Sequence, residues 1–201
     1  MMATIKKICV YCGSGPGSDP AFVEASRAFG KAMGENGIGL VYGGGAIGLM
    51  GEIANAVLDH GGEAVGIIPK FLVNRERAML RGEVVIVQDM HERKQLMFEH
   101  ADAFVALPGG VGTLEEVVEQ MTWAQLGRHK KPILLANIKN FWDPLCKLLD
   151  HMESLQFIRP GLQVNYLVAD KADEILPKLQ AAARAIREAE KEMKTAEAEQ
   201  M

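Results

Sequence analysis

No stretch of this chain is apolar for long enough to cross a bilayer. The longest glycine-tolerant apolar run, Ile38 to Met50, carries five glycines and falls short of the roughly 18 residues a membrane helix needs. Near the N-terminus, Lys6 and Lys7 precede a brief apolar run that Gly13, Gly15 and Pro16 interrupt. A secretory signal needs a longer apolar core and a cleavage site, so a cytoplasmic protein is expected. Cysteine is scarce, and the three present (Cys9, Cys12, Cys146) argue by their odd number against a disulfide framework. Cys9 and Cys12 form a C-x-x-C, but along a strand rather than at a helix start, where a redox pair would gain its low pKa. Zinc would need two further ligands at suitable spacing, and no second pair exists. They read as buried strand thiols. Excess positive charge is also missing: the net charge is −4 and the pI near 5.8, which excludes a broad basic surface for nucleic acid or anionic lipid. His60, His100, His129 and His151 fit no H-E-x-x-H or paired-ligand spacing, which speaks against a catalytic metal.

What is present is a strand, a turn and a helix, repeated. Ile5–Tyr11 reads as a buried strand, followed by CGSGPGSDP, with Asp19 as N-cap and Pro20 at the first helical position of a helix to about Asn36. Gly39–Tyr42 is a second strand, GGGAIG its loop, and Leu49–His60 a helix stopped by Gly61 and Gly62. Strands at Ala64–Ile68, Val84–Val87, Ala103–Leu107, Pro132–Ala136 and Val164–Val168 follow, with helices at Met90–Ala101, Thr113–Leu126 and Trp142–Ser154. Asp89 and Glu92 form a D-x-x-E variant of the capping box for the first of these helices. Such alternation implies a parallel sheet covered on both faces, a doubly wound, Rossmann-like α/β fold in a single domain over about 1–180. Residues 181–201 read as a charged, alanine-rich helical tail with too little apolar surface to dock firmly, so its end is expected to fray. In this fold class ligands lie beyond the C-terminal strand ends, where every glycine loop here must also lie.

Those loops suit an anion. Gly43, Gly45 and Gly48 match G-x-G-x-x-G between a strand and a helix. A dinucleotide site would also want an acidic residue closing the next strand, which instead ends Ile67-Ile68-Pro69-Lys70. No G-x-x-x-x-G-K-[ST] occurs, so a Walker loop is excluded. What remains is a phosphate cradle suited to a monophosphate, against the plainer reading that the glycines only allow tight turns. A second loop, Pro108-Gly109-Gly110-Val111-Gly112-Thr113, opens another helix whose first N–H groups and positive dipole end favour an anion. One turn on stand Glu115 and Glu116. Thr113 and Glu116 fit T-x-x-E, so capping and chemistry are both open for Glu116, while Glu115 points about a quarter-turn away. In MHERK, Arg93 and Lys94 occupy the first helical turns, either as a solvated basic face or with Arg93 offering a planar fork to phosphate or carboxylate. Met79, Met97 and Met121 read as core filling.

At these residues the chain resembles the LOG (Lonely Guy) proteins, cytokinin riboside 5′-monophosphate phosphoribohydrolases. PGGVGTLEE matches their P-G-G-x-G-T-x-x-E signature, and the resemblance extends through GGGAIGLMG, IPKFLVNRE, MHERK and TWAQLGRHKKP. It implies release of an adenine base from a nucleoside 5′-monophosphate, giving ribose 5-phosphate, without metal or organic cofactor. Arg93 and Glu116 correspond to the family's catalytic pair. Gly44, Gly45, Glu76, Met90, Lys94, Gly109, Gly110, Val111, Gly112 and Thr113 correspond to substrate contacts. The family position near Arg128 also approaches substrate. The stretch RERAMLRGEV departs from the more familiar members, which bears on the wall around the base. A homodimer is expected from the resemblance and from the apolar helical surface around Val117, Met121 and Trp123. Members have carried a lysine decarboxylase label, but no Schiff-base lysine with a partner for a pyridoxal ring nitrogen can be placed in a coherent site. Two other readings stay open: a nucleosidase acting on unmodified AMP, and a non-catalytic nucleotide-binding module.

Overall fold

The computed structural model describes residues 5–74, 81–159 and 161–199. Its elements run β1 (Lys7–Tyr11), α1 (Pro20–Glu35), β2 (Gly39–Tyr42), α2 (Gly48–Asp59), β3 (Ala64–Pro69), β4 (Glu83–Val87), α3 (Met90–Glu99), β5 (Ala103–Ala106), α4 (Val111–Gln125), β6 (Ile133–Ala136), α5 (Asp143–Ser154), β7 (Leu167–Ala169) and α6 (Ala172–Glu199). Seven parallel strands lie in the order β4-β3-β2-β1-β5-β6-β7. The doubly wound α/β expectation holds. The order reverses between β1 and β5, where Tyr11 lies opposite Ala106. That switch point opens a crevice beyond the strand ends, between the loops that leave β1 and β5.

The strands are apolar throughout because both sheet faces are covered. On one face Phe29 and Met33 of α1, Ile53 and Val57 of α2, and Ile175 and Leu179 of α6 pack against Ile8, Val10 and Leu40. On the other, Met97 of α3, Val117 and Met121 of α4, and Trp142 pack against Cys9, Tyr11, Phe104 and Leu135. Close approach of α1 and α2 needs Gly30: a Cβ there would lie 2.7 Å from the Ile53 carbonyl oxygen. The anticipated caps form. Asp19 accepts from Ala21 N–H at 2.9 Å, and Asp89 Oδ1 accepts from His91 and Glu92 N–H at 2.8 and 2.9 Å. Glu92 reaches back one residue further than a capping box requires, to Gln88 N–H at 2.8 Å.

Two expectations are corrected. The last strand is Leu167–Ala169 rather than Val164–Val168, because Val164 and Tyr166 pack sideways onto the helical side of the core before pairing with β6 begins. Val117 and Met121 are buried at 0% and 2% exposure, so they belong to the protein's own core and offer no surface to a partner. α6 is continuous to Glu199, and from Lys191 to Ala196 its side chains are exposed. Among the described residues no helix is long and apolar enough to cross a membrane.

At the opposite sheet edge, His129 ties the end of α4 to the start of β6. Its Nε2 donates to the Gln120 carbonyl at 3.2 Å, and its Nδ1 accepts from Lys131 N–H at 3.1 Å. That pair of bonds requires the neutral ring. Burial among Phe98 and Phe104 holds the imidazole below its ordinary 6.5; the Gln120 carbonyl resists, while Lys131 and Arg128 push further down. The folded pKa lies below the unfolded one, so as pH falls below 6.5 the unfolded chain takes up the proton first. Stability is therefore expected to fall between about pH 7 and 5. Denaturation midpoints measured across that window should drop less steeply for His129→Gln than for wild type.

Candidate active site

The C-terminal ends of β1, β2 and β5 deliver three loops to the crevice, and backbone bonds lock them together. Leu107 N–H extends the ladder to Tyr11 O at 2.9 Å, and Gly13 N–H donates to Pro108 O at 3.0 Å. The Gly13 carbonyl accepts from Leu49 N–H at 3.0 Å, which joins the first loop to the start of α2. Trp142 Nε1–H donates to Ala106 O at 3.0 Å and pins the end of β5 from the far side. These close contacts need glycine at particular places. At Gly48, in the left-handed region at φ 59°, a Cβ would collide with the Ser14 backbone. At Gly109 it would collide with the Thr113 hydroxyl.

Helix α4 starts at Val111, with Gly110 as N-cap and no side chain capping it. This corrects the helix opening expected at Thr113. The first intrahelical bond runs from Leu114 N–H to Gly110 O at 3.1 Å. Thr113 thus sits inside the first turn and Glu116 beyond it, so T-x-x-E does not stand at the positions of a capping box. The helix opens instead as a bare turn: the amides of Val111, Gly112 and Thr113 precede the intrahelical ladder at its positive end. Gly110, Val111 and Gly112 are exposed, Gly109 is half-buried and Thr113 is buried. An uncapped turn of this kind is the arrangement that suits an anion.

Glu116 reaches the crevice from below that turn and meets Arg93 of α3, with Nη2 3.3 Å from Oε1. Both residues are only 7% exposed. Taking two charges this far out of water carries a desolvation cost that their attraction must offset. The guanidinium lies over Gly43, where a Cβ would collide with Nη2, and Nη1 approaches Met90 Sδ at 3.7 Å. Beneath the pair, β1 presents Cys9 and Tyr11. Burial drives both the thiol and the phenol well above their ordinary pKa values, with the Glu116 charge adding to the rise, so both keep their protons.

The neighbouring residues on the same two helices form a second ionic contact. Lys94 Nζ lies 2.6 Å from Glu115 Oε1 and 2.9 Å from Glu119 Oε1, with its side chain 13% exposed. Burial pulls the ammonium down, but the bonds to Glu115 and Glu119 outweigh it and leave the pKa raised. The i, i+4 spacing of the two carboxylates was the signal available for this brace. Gly44, at φ 80°, and Gly45 are buried; a Cβ on Gly44 would stand 3.0 Å from Ile68 Cβ. Arg128 stacks over Trp123 at 4.3 Å. Glu76 and Met79 lie outside the described residues. Among the described residues no three His, Cys, Asp or Glu side chains gather as metal ligands.

Residues 50–179 match the family model described as "Possible lysine decarboxylase". Over 176 residues the chain is 48% identical to the cytokinin riboside 5′-monophosphate phosphoribohydrolase LOG of Oryza sativa, covering 87% of this chain and 73% of that one. It is 45% identical to LOG1 of Arabidopsis thaliana, covering 87% and 83%. The chain belongs to the LOG family. Among solved structures, the LOG-family chain resembles the molybdenum cofactor binding protein of Rippkaea orientalis, with a TM-score of 0.67 at 20% identity over 89% of this chain and 97% of that one. The Moco carrier protein of Chlamydomonas reinhardtii gives 0.64 at 18% identity over 89% and 98%. At such identities the likeness extends to the fold alone.

Gly43 offers a test of the pair's geometry that leaves the core intact. A methyl group there meets the mobile end of a side chain, so Arg93 should yield and the fold should not. Gly43→Ala is expected to lower activity on the order of 100-fold, with a denaturation midpoint close to wild type.

Proposed function

We propose that this protein hydrolyses the N-glycosidic bond of an N6-substituted adenosine 5′-monophosphate, releasing the free base and ribose 5-phosphate. The observation that carries this reading is the buried Arg93–Glu116 pair set beside the uncapped start of α4. The 5′-phosphate would lie on the amides of Gly110 to Thr113, supported by the loop at Gly44 and Gly45. Anchoring at that end makes attack at the sugar effectively intramolecular. The bond from the anomeric carbon to the purine nitrogen breaks with its electron pair leaving on the base. The water oxygen becomes the anomeric hydroxyl, and the purine takes up a proton. Positive charge builds on the ribose as the bond stretches, and Glu116 stabilises it or activates the water. Arg93, 3.3 Å from the carboxylate, would orient Glu116 and balance charge as the base leaves. No metal or organic cofactor enters this scheme.

The names of the relatives support the substrate class. A decarboxylase reading would need a lysine with a depressed pKa to form a Schiff base. Lys94 has the opposite shift. Lys131 is lowered by burial, but its Nζ donates to Phe98 O at 2.7 Å at the sheet edge remote from the glycine loops.

A homodimer in the cytoplasm is part of the same reading. The apolar face that supports it is formed by Val111, Leu114 and Val118 of α4 with Leu148 and Met152 of α5, around a groove of about 660 Å³. Exposed apolar area of this kind beside a ligand loop favours burial against a second copy. Light scattering should report a dimer, and Val118→Asp with Leu148→Asp should convert it to monomer.

The central test is chemical. Purified protein incubated with isopentenyladenosine monophosphate should release isopentenyladenine and ribose 5-phosphate, and faster turnover of plain AMP would point to a general nucleosidase. Glu116→Gln should cut turnover by at least about 100-fold while nucleotide binding, measured by calorimetry, stays within a few-fold. Saturable binding by wild type with no ribose 5-phosphate formed would overturn the hydrolase assignment.

A further inference from the structure

Where the strands begin, at the end of the sheet away from the glycine loops, α6 runs past the segment that leads into β6 and leaves space beneath it. Two cavities there share a wall formed by His129 to Pro132 and by Ile186 of α6. The larger, about 490 Å³, is faced with apolar side chains from Ala124, Ile133, Leu167 and Ala182. That volume falls in the range of small-molecule sites, about 300–1,000 Å³. The smaller, about 290 Å³, opens toward Asp102, Arg187 and Glu190.

Lys131 lines both cavities. Its Nζ lies 4.0 Å from the centre of the Phe98 ring and donates to the Phe98 carbonyl at 2.7 Å. An ammonium has three donors, so this bond leaves others to be used. Burial pulls the Lys131 pKa down, and the charges of Asp102 and Glu99 only partly restore it. The carboxylates nearby are engaged elsewhere. Asp102 Oδ2 accepts from Lys6 and Lys7 N–H at 2.8 and 3.0 Å, Glu99 Oε1 accepts from Gln95 Nε2 at 2.6 Å, and Glu190 lies 3.7 Å from Lys130 Nζ. Among the described residues, therefore, a half-buried cation borders an apolar cavity with no carboxylate within ion-pair distance. Its main chain is fixed as well, since Lys131 N–H donates to His129 Nδ1 at 3.1 Å.

These features define a complementary ligand. One desolvated ammonium calls for one negative charge, and the aliphatic walls call for an apolar body. A second negative charge would be opposed by α4, whose C-terminal residues Ala124 and Gln125 border the larger cavity with the negative end of the helix dipole. We propose that this cavity is a second ligand site, taking a small monocarboxylate whose carboxylate meets Lys131 Nζ and whose apolar chain or ring lies against Ile133, Leu167, Ala182 and Ile186. The site shares no residue with the Arg93–Glu116 crevice and does not depend on the hydrolase reading.

Octanoate and phenylacetate are the probes, an acyl chain and an aromatic acid. Titrated into the full chain, at least one should shift the methyl NMR signals of Ile133, Leu167 and Ile186 saturably, and the tighter of the two identifies the kind of body the cavity takes. The neutral 1-octanol should bind at least about tenfold more weakly than octanoate. Lys131→Met keeps the apolar stem without the charge and should weaken octanoate by a similar factor while leaving 1-octanol unchanged. Ala182→Phe, which fills the larger cavity, should abolish binding of both acids. Failure of both acids to shift those methyls in wild type, shifts on Leu114 and Val118 instead, or equal octanoate affinity in Lys131→Met would overturn the proposal.

Discussion

The ion pair between Arg93 and Glu116 is the contact on which the arrangement of the site depends. Two charges at 7% exposure carry a desolvation penalty that attraction alone rarely offsets. A pair of that kind is weak evidence for stability and better evidence for a required geometry. Every surrounding feature accommodates it. Gly43 withholds a side chain so that the guanidinium can lie flat against the second strand loop. Met90, on the same helix, supplies a soft sulfur contact rather than a competing acceptor. The Lys94 contacts with Glu115 and Glu119 repeat the α3–α4 connection one residue along, fixing the spacing of the two helices where the pair needs it.

The sheet explains why the pair meets the glycine loops at all. Because the strand order reverses between β1 and β5, the loops leaving them diverge and a crevice opens. Three successive backbone bonds, Leu107 to Tyr11, Gly13 to Pro108 and Leu49 to Gly13, then draw the loops into one surface. The third of these engages an amide at the start of α2, whereas α4 begins on a bare glycine. Of these two helix starts, α4 therefore keeps more of its opening donors available to a ligand.

Much of this was legible in the residues before any coordinates. Continuous apolar runs such as Leu40–Tyr42 and Phe104–Ala106, set between glycine loops and helical patterns, read as strands buried on both faces, and Asp19-Pro20 and Asp89 mark helix starts by chemistry confined to a few residues. The failures share one cause. Thr113 and Glu116 satisfy a capping pattern, yet the helix begins two residues before Thr113 because glycines at 110 and 112 lack side chains that would compete with the turn. Local patterns identify what a residue can do, while the loop geometry that selects among those options comes from contacts distant in sequence. The same limit applies to Val117 and Met121, whose apolar character was plain but whose direction depended on the sheet beneath them.

Lys94 and Gln120 carry that point into the chemistry. Each neighbours a member of the central pair on its own helix, and from sequence each looks like an accessory polar group. In the fold they differ in kind. Lys94 has two carboxylate partners and a raised pKa, so its charge is already compensated and its contribution is mechanical. Gln120 has no side-chain hydrogen-bond partner among the described residues, although both its amide atoms are buried.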